Sequence, residues 1–127
     1  MPLVPVSTFA VLAAAFLVKH YVADFVLQTG WMVRGKEAAA GWLAPLSVHA
    51  GCHGLATLGL AWLIAPRLWW LAPIDFAVHF AIDRAKAVAG RRAGFTAEDV
   101  RFWWLLGLDQ MLHHLTDLAL VVAFLTL

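Results

Sequence analysis

Charge is scarce in this chain: Asp, Glu, Lys and Arg make up 13% of its 127 residues, while hydrophobic residues reach 63%. Soluble domains run at about 25% charged and about 45–50% apolar. A soluble fold this small has too little interior to hide so much apolar surface. The formal net charge is +1 and no basic stripe is dense enough to neutralise several phosphates, which excludes nucleic acid as a partner. The single cysteine, Cys52, excludes a disulfide within the chain. No basic segment precedes the first apolar run, since nothing from Met1 to Val18 is charged, and that run is too long for a secretory signal; a retained spanning helix is expected. HExxH, GxSxG and P-loop signatures are missing too.

What is present is apolar sequence in long pieces. A bilayer-crossing helix needs roughly 20 mainly apolar residues. Proline and glycine punctuation predicts four such runs: Val4 to Leu27 after Pro2 and Pro5, Pro45 to Ala65 between Gly41 and Pro66, Leu71 or Pro73 to about Gly90, and Phe102 to Leu127. Residues 30–44 and 90–100 read as polar connections, with Thr96 as a helix cap followed by Glu98 and Asp99. The fold class expected is all-α: a polytopic membrane protein with four transmembrane helices in an antiparallel bundle, one domain over residues 1–127.

Arg and Lys predict the orientation, because short loops rich in them stay cytoplasmic. Arg34 and Lys36 mark the first connection, and Arg84, Lys86, Arg91, Arg92 and Arg101 flank or occupy the third, whereas the middle one has only Arg67. Both termini are therefore expected away from the cytoplasm. Trp42, Trp69, Trp70, Trp103 and Trp104 fall near helix ends, as interfacial anchors do.

Against this background the ionisable residues repeat at a fixed step. The first run holds His20, Asp24 and Gln28, the second His49 and His53, the third Asp75, His79 and Asp83, the fourth Asp109, His113 and Asp117. Four residues advance a side chain by only about 40° round a helix, so each set forms one stripe. A central Asp disfavours insertion by about 2.5–3.5 kcal/mol while each Leu, Ile, Phe or Val returns only about 0.3–0.6 kcal/mol. Such residues face the interior and are functional suspects.

Depth strengthens the argument. His20 and Asp24 lie about one to two turns before the cytoplasmic end of the first run, and His49 and His53 follow the start of the second similarly. His79 and Asp83, and Asp109 and His113, sit about two or three turns from the corresponding ends. All four pairs are predicted to share one cytoplasmic-side layer. Asp75 and Asp117 fall towards the other face, where they would bond each other or flank an access path.

Imidazoles with carboxylates suit zinc, iron or manganese rather than calcium. His20, Asp24, His49, His53, His79, Asp83, Asp109 and His113 are too many for one tetrahedral ion. They suit two ions, or one ion with carboxylates that orient the imidazoles. Facing helices build paired-metal sites in soluble bundles as well. Gln28, Gln110 and Lys86 are candidates for orienting ligands or holding substrate, although Lys86 is first expected to pair with Asp83 while reaching the surface. His114 is expected to point elsewhere, Cys52 to serve packing, and Gly51 and Gly54 to allow close helix approach.

The segment from His20 through Tyr21, Val22, Ala23 and Asp24 to Gln28, the His49/His53 pair, the His79/Asp83/Lys86 segment and the run Asp109-Gln110-Met111-Leu112-His113-His114 together resemble a small family of bacterial inner-membrane proteins known as a domain of unknown function. The resemblance covers nearly the whole chain and implies a polytopic fold with a polar centre in the bacterial inner membrane. The pattern is similar in style to membrane-bound metal-dependent hydrolases, which use His and Asp from several spans.

The leading expectation is a metal-dependent hydrolase whose ion activates water and whose substrate is lipid-derived or phosphorylated. The alternative is a transport or sensing module passing metal ions or protons, which predicts a polar route through Asp75 and Asp117 to the far face. A b-type haem protein is a third reading. Membrane lipids are the expected partners, and pairing with a second copy stays open.

Overall fold

The computed structural model describes residues 3–127, so Pro2, read above as punctuation before the first run, lies outside the described residues. Helix α1 (Val6–Tyr21) continues into a π turn at Val22–Val26. Then follow α2 (Gly30–Lys36), α3 (Leu43–Ile64), a 3₁₀ turn at Pro66–Leu68, α4 (Leu71–Ala93) and α5 (Val100–Thr126). No strand occurs among the described residues, and the fold is all-α.

Pro45 and Pro73 each sit in the first turn of a helix, where the missing N–H has no partner to lose. Helix α4 does not end at Gly90 as predicted. It runs on to Ala93, because the residue that turns left-handed is Gly94, with φ +67°. Phe95 N then donates to Gly90 O and Gly94 N to Arg91 O, which satisfies the last carbonyls. At the start of α5 the cap is Asp99 rather than Thr96: the carboxylate accepts from Arg101 N at 2.9 Å and pairs with the Arg101 guanidinium at 2.6 Å. Both contacts hold the Asp99 carboxyl below its ordinary value.

The connection predicted over residues 30–44 is partly helical. Thr29 caps α2 by accepting from Met32 N, and buried Met32 anchors it. Gly35 approaches α3 so closely that a Cβ there would overlap the Pro45 ring. Arg91 donates to Glu37 O and Ala38 O at the end of α2, where exposed carbonyls favour a cation. The Arg84 guanidinium stacks 3.8 Å from the Trp42 ring.

Helices α1, α3, α4 and α5 form a ring in which each runs antiparallel to its neighbours. At one end Leu12 and Phe16 of α1 meet Ala61, Leu71, Leu120 and Phe124, with the Phe16 and Phe124 rings edge to face at 5.5 Å. At the other end the His and Asp residues meet. Small residues let the backbones approach: a Cβ on Gly54 would stand 3.1 Å from Phe76 Cβ and 3.2 Å from Ala72 O, whereas one on Gly51 would meet nothing within 4 Å. Gly54 alone of the two serves the close approach expected of both. Gly54→Leu is expected to lower stability by about 1–3 kcal/mol through overpacking, and Gly51→Ala to leave it unchanged or slightly raised, both read by thermal unfolding in detergent.

The interior and exterior are inverted relative to a soluble protein. Lys19, His53, Asp75, His79 and Asp117 are buried, while Val11, Leu55, Trp62, Leu63, Leu115 and Val122 are exposed. An apolar exterior of this extent belongs in a membrane. The π-turned α1 (Val6–Val26), α3 and α5 are long and apolar enough to cross one. The sequence predicted four such helices, and among the described residues there are three. Helix α4, although 23 residues long, carries Asp75, Asp83, Arg84, Lys86, Arg91 and Arg92 and has no sufficiently apolar stretch.

Candidate metal centre

Each helix of the ring contributes one turn-spaced pair to the interior: His20 and Asp24 from α1, His49 and His53 from α3, His79 and Asp83 from α4, Asp109 and His113 from α5. All eight are buried. The four-residue step puts both members of a pair on one helix face, and antiparallel packing brings the four faces to one depth.

Two carboxylates act as hubs. Asp24 Oδ1 lies 2.9 Å from His53 Nε2 and 3.2 Å from His49 Nε2, and its Oδ2 lies 3.1 Å from His20 Nε2. Asp83 Oδ2 lies 3.1 Å from His49 Nε2, and its Oδ1 lies 3.3 Å from His113 Nε2, which is in turn 3.4 Å from Asp109 Oδ1. His49 thus stands between the hubs. The π turn presents Asp24, and Gln28 Nε2 donates to the Asp24 carbonyl at 2.6 Å. Such turns often occur where function demands an altered register. Gln110 joins both sides of the centre, donating to Asp24 Oδ2 and Asp109 Oδ2 at 3.3 Å each and facing His20 Nε2 with its oxygen.

Three buried groups each bring ligand atoms within 4.8 Å of one another: Asp24, His49 and His53; Asp83, Asp109 and His113; His20, His53 and His79. A tetrahedral ion with bonds of about 2.0–2.2 Å holds its ligand atoms roughly 3.3–3.6 Å apart. The separations above are near that spacing, but hydrogen bonds would give similar ones. The unpartnered atoms discriminate. Among the described residues ten buried side-chain N and O atoms make no hydrogen bond, and all ten belong to this core. Five of them, His20 Nδ1 and an oxygen each of Asp75, Asp83, Asp109 and Asp117, still face an ion-pair partner at 2.8–3.4 Å, whereas His79 Nε2 and the Nδ1 atoms of His49, His53 and His113 face none. Native proteins leave only a few such atoms, and each calls for a partner.

His79 is the best-prepared ligand. Its Nδ1 bonds the Asp75 carbonyl at 3.2 Å and lies 2.8 Å from Asp75 Oδ1, so its unpartnered Nε2 faces the other imidazoles. Its ring stacks 4.0 Å from His53 and 4.4 Å from His113.

Below the histidines lies a residue whose role the sequence reading missed. Lys19 donates to Asp75 Oδ2 at 2.8 Å, Asp117 Oδ1 at 3.1 Å and Thr57 Oγ1 at 3.1 Å, all buried. Asp75 and Asp117 are thus joined through Lys19 rather than bonded to each other directly. Thr57 also donates to Asp75 Oδ2, at 2.5 Å. A signal existed: Asp75 and Asp117 had no cation assigned, and Lys19 was the one at their depth. Thr57 continues the α3 stripe one more step of four.

Lys86 bonds Glu37 Oε1 at 2.7 Å and not Asp83 as expected. The lysine near Asp83 is Lys36, brought back over the site by α2; its Nζ lies 3.5 Å from Asp83 Oδ2 and 3.2 Å from His49 Nε2. His114 is exposed, yet its ring lies 4.8 Å from His20, which corrects the expectation that it points elsewhere. Cys52 is half-buried and belongs to none of the three groups.

Comparison with known proteins bears on the family and not on the chemistry. No curated protein and no solved structure gives a significant match. The looser similarity to membrane-bound metal-dependent hydrolases finds no support. The resemblance carried by the His20 to Gln28, His49/His53, His79/Asp83 and Asp109 to His114 segments does: the family model described as Protein of unknown function (DUF3307) matches residues 12–127, which include every residue of this centre, and the chain belongs to that family.

Proposed function

We propose that this chain is a metal-binding protein of the bacterial inner membrane that holds two divalent transition-metal ions, zinc, iron or manganese, and uses them to hydrolyse its substrate. One ion would be held by Asp24, His49 and His53, the other by Asp83, Asp109 and His113. The observation that carries the reading is the convergence of buried His and Asp ligand atoms from four helices on one core, with several imidazole nitrogens among them left without a partner.

Charge balance supports it. Asp24, Asp75, Asp83, Asp109 and Asp117 are buried with Lys19, and Lys36 is the nearest further cation. With neutral imidazoles, three negative charges stay uncompensated where the dielectric is low and an unpaired charge is costly. Two divalent ions compensate them and use the imidazoles as ligands. A bound ion lowers the pKa of its water to near neutrality. Lys36 lies where it would hold an anionic group beside the Asp83 side of the centre, and Gln110 fixes the carboxylates of Asp24 and Asp109 relative to each other.

In this reading α4 is a fourth span. Its Asp75, His79 and Asp83 face the core, and Arg91 and Arg92 lie at its end, so it needs no lipid contact with charge in mid-bilayer. The Arg and Lys bias of the connections favours both termini away from the cytoplasm, with the centre in the cytoplasmic-side third.

Two rivals fare less well. A transport path required polar continuation past Asp75 and Asp117, but those carboxylates are tied to Lys19, and beyond them lie Leu12, Phe16, Leu120 and Phe124. A haem would need its axial histidines on opposite sides of a macrocycle, and the imidazoles stack at 4.0–4.4 Å.

Elemental analysis of protein purified in detergent without a histidine tag is the test. Two equivalents of transition metal are expected, with loss in His53→Ala and Asp83→Ala. Folded protein that contains no metal and takes up no added zinc, iron or manganese would overturn the proposal.

A further inference from the structure

We infer that the centre is entered sideways from the bilayer, and that its substrate is a lipid-borne phosphate whose chain lies in the groove between α4 and α5. The inference rests on the metal reading and names the substrate class of that same site.

The groove has a volume of about 370 Å³ and is walled by Ala81, Ile82, Ala85 and Ala89 of α4 and by Leu108 and Leu112 of α5. Alanines every four residues keep one face of α4 shallow, and the leucines form the opposite wall. From Ala81 to Ala89 it follows α4 for roughly 12 Å at the helical rise of 1.5 Å per residue. The two polar side chains of the lining are Lys86 and Asp109.

The same two side chains line a second cavity of about 200 Å³, whose other polar lining residues are Asp24, Gln28, Lys36, Glu37 and Gln110. This cavity borders the metal-ligating carboxylates Asp24 and Asp109. Lys86 and Asp109 are therefore the shared wall between an apolar groove and a polar chamber at the centre. A water occupies about 30 Å³ of liquid volume, so the chamber has room for a tetrahedral oxyanion with water beside it.

Charge selects the occupant. Lys36 and Lys86 both reach the chamber, and Lys86 gives Glu37 one of its three donors. Two divalent ions beside Asp24, Asp83 and Asp109 would outweigh those carboxylates and Glu37 once Lys36 and Lys86 are counted, leaving a positive chamber that fits a doubly charged phosphate monoester head. Hydrolysis of that ester would form a P–O bond to water, break the P–O bond to the lipid alcohol, leave a hydroxyl on the released phosphate and deliver the other proton to the alcohol oxygen.

A larger apolar groove of about 630 Å³ between α1 and α3 is the instructive contrast. Its one charged lining residue is Lys19, and all three of that ammonium's donors are committed to Thr57, Asp75 and Asp117. A chain could lie there, but its head would find no cation.

The test uses metal-loaded protein in phosphatidylcholine nanodiscs, with dodecyl phosphate, dodecanol, dodecanoate and inorganic phosphate as separate probes and metal content read on the same samples. Dodecyl phosphate is expected to bind more tightly than the other three. Ala85→Trp, which fills the groove, should weaken it about tenfold or more at unchanged metal content, given the usual cost of overpacking. Lys86→Gln should weaken it by a similar factor through loss of a charged hydrogen bond. Ala89→Leu supplies a milder block should Ala85→Trp fail to fold. Equal binding of inorganic phosphate and dodecyl phosphate, or undiminished binding in the groove variant that folds, would overturn the inference. Absence of metal with a retained preference for dodecyl phosphate counts against the metal reading and leaves the groove assignment standing.

Discussion

Lys19→Met is expected to destabilise the protein by about 3–5 kcal/mol, the usual cost of removing one partner from a buried ion pair. The ammonium makes three hydrogen bonds, to Asp75, Asp117 and Thr57, in a region without access to solvent. Methionine keeps much of the volume but leaves two carboxylates facing one another without a cation. In a membrane the apolar exterior contributes little to helix association, because lipid is as apolar as leucine. The polar interior therefore weighs more than in a soluble bundle. Removing the carboxylate charges along with the ammonium, in Lys19→Met/Asp75→Asn/Asp117→Asn, should recover most of the loss. Thermal unfolding in detergent measures both variants, and a Lys19→Met protein as stable as its parent would contradict the ion-pair account.

Asp24→Ala should reduce the bound metal from two equivalents to one, and Asp109→Ala should do the same from the other side. Asp24 touches His20, His49 and His53, whereas Asp109 touches His113 beside Asp83. The two sets share no residue, so losing one leaves the other intact apart from the loss of His49 as their go-between. Stepwise loss distinguishes a paired centre from a single ion, for which either substitution would remove all metal. A gentler perturbation asks whether His79 joins either ion as a further ligand through Nε2: Asp75→Asn keeps the size of the group on His79 Nδ1 but changes its charge. With His79 ligated, metal affinity falls by about 10–100-fold without a change in stoichiometry, whereas unchanged affinity leaves His79 outside both sites. Equilibrium competition with a chromogenic chelator gives both numbers.

The convergence of the eight His and Asp residues on one buried core was legible because their signal is local. A four-residue step fixes a face, and the insertion cost of His and Asp in apolar runs shows that the face is turned inward. The positions of Lys19, Lys36 and Lys86 were not legible for the same reason. Lys19 adjoins His20 in sequence but earns its role from Thr57 on α3, Asp75 on α4 and Asp117 on α5. Lys36 reaches Asp83 because α2 folds back over the end of the bundle, and residues 30–44 read as connection. The partner chosen by Lys86 is Glu37, 49 residues away, while the spacing pointed to Asp83 three residues off. The π turn at Val22–Val26 also escaped, since nothing in the composition of that segment distinguishes it from ordinary helix.

By itself the sequence determined the all-α character, the approximate runs and the inward faces, because apolar length and helical period depend on neighbours along the chain. It could not decide how the polar residues divide among themselves. Only the tertiary structure set Asp24 and Asp83 as hubs, closed the column on Lys19, and put a groove ending in Lys86 and Asp109 beside the centre. Those outcomes depend on distances between helices, and a few ångströms across a low-dielectric interior separate an ion pair, a ligand pair and an unpaired charge. Helix α4 shows both halves of the division: its length and proline punctuation read as a span although its charges leave no sufficiently apolar stretch, and packing turns Asp75, His79 and Asp83 into the core where they have partners.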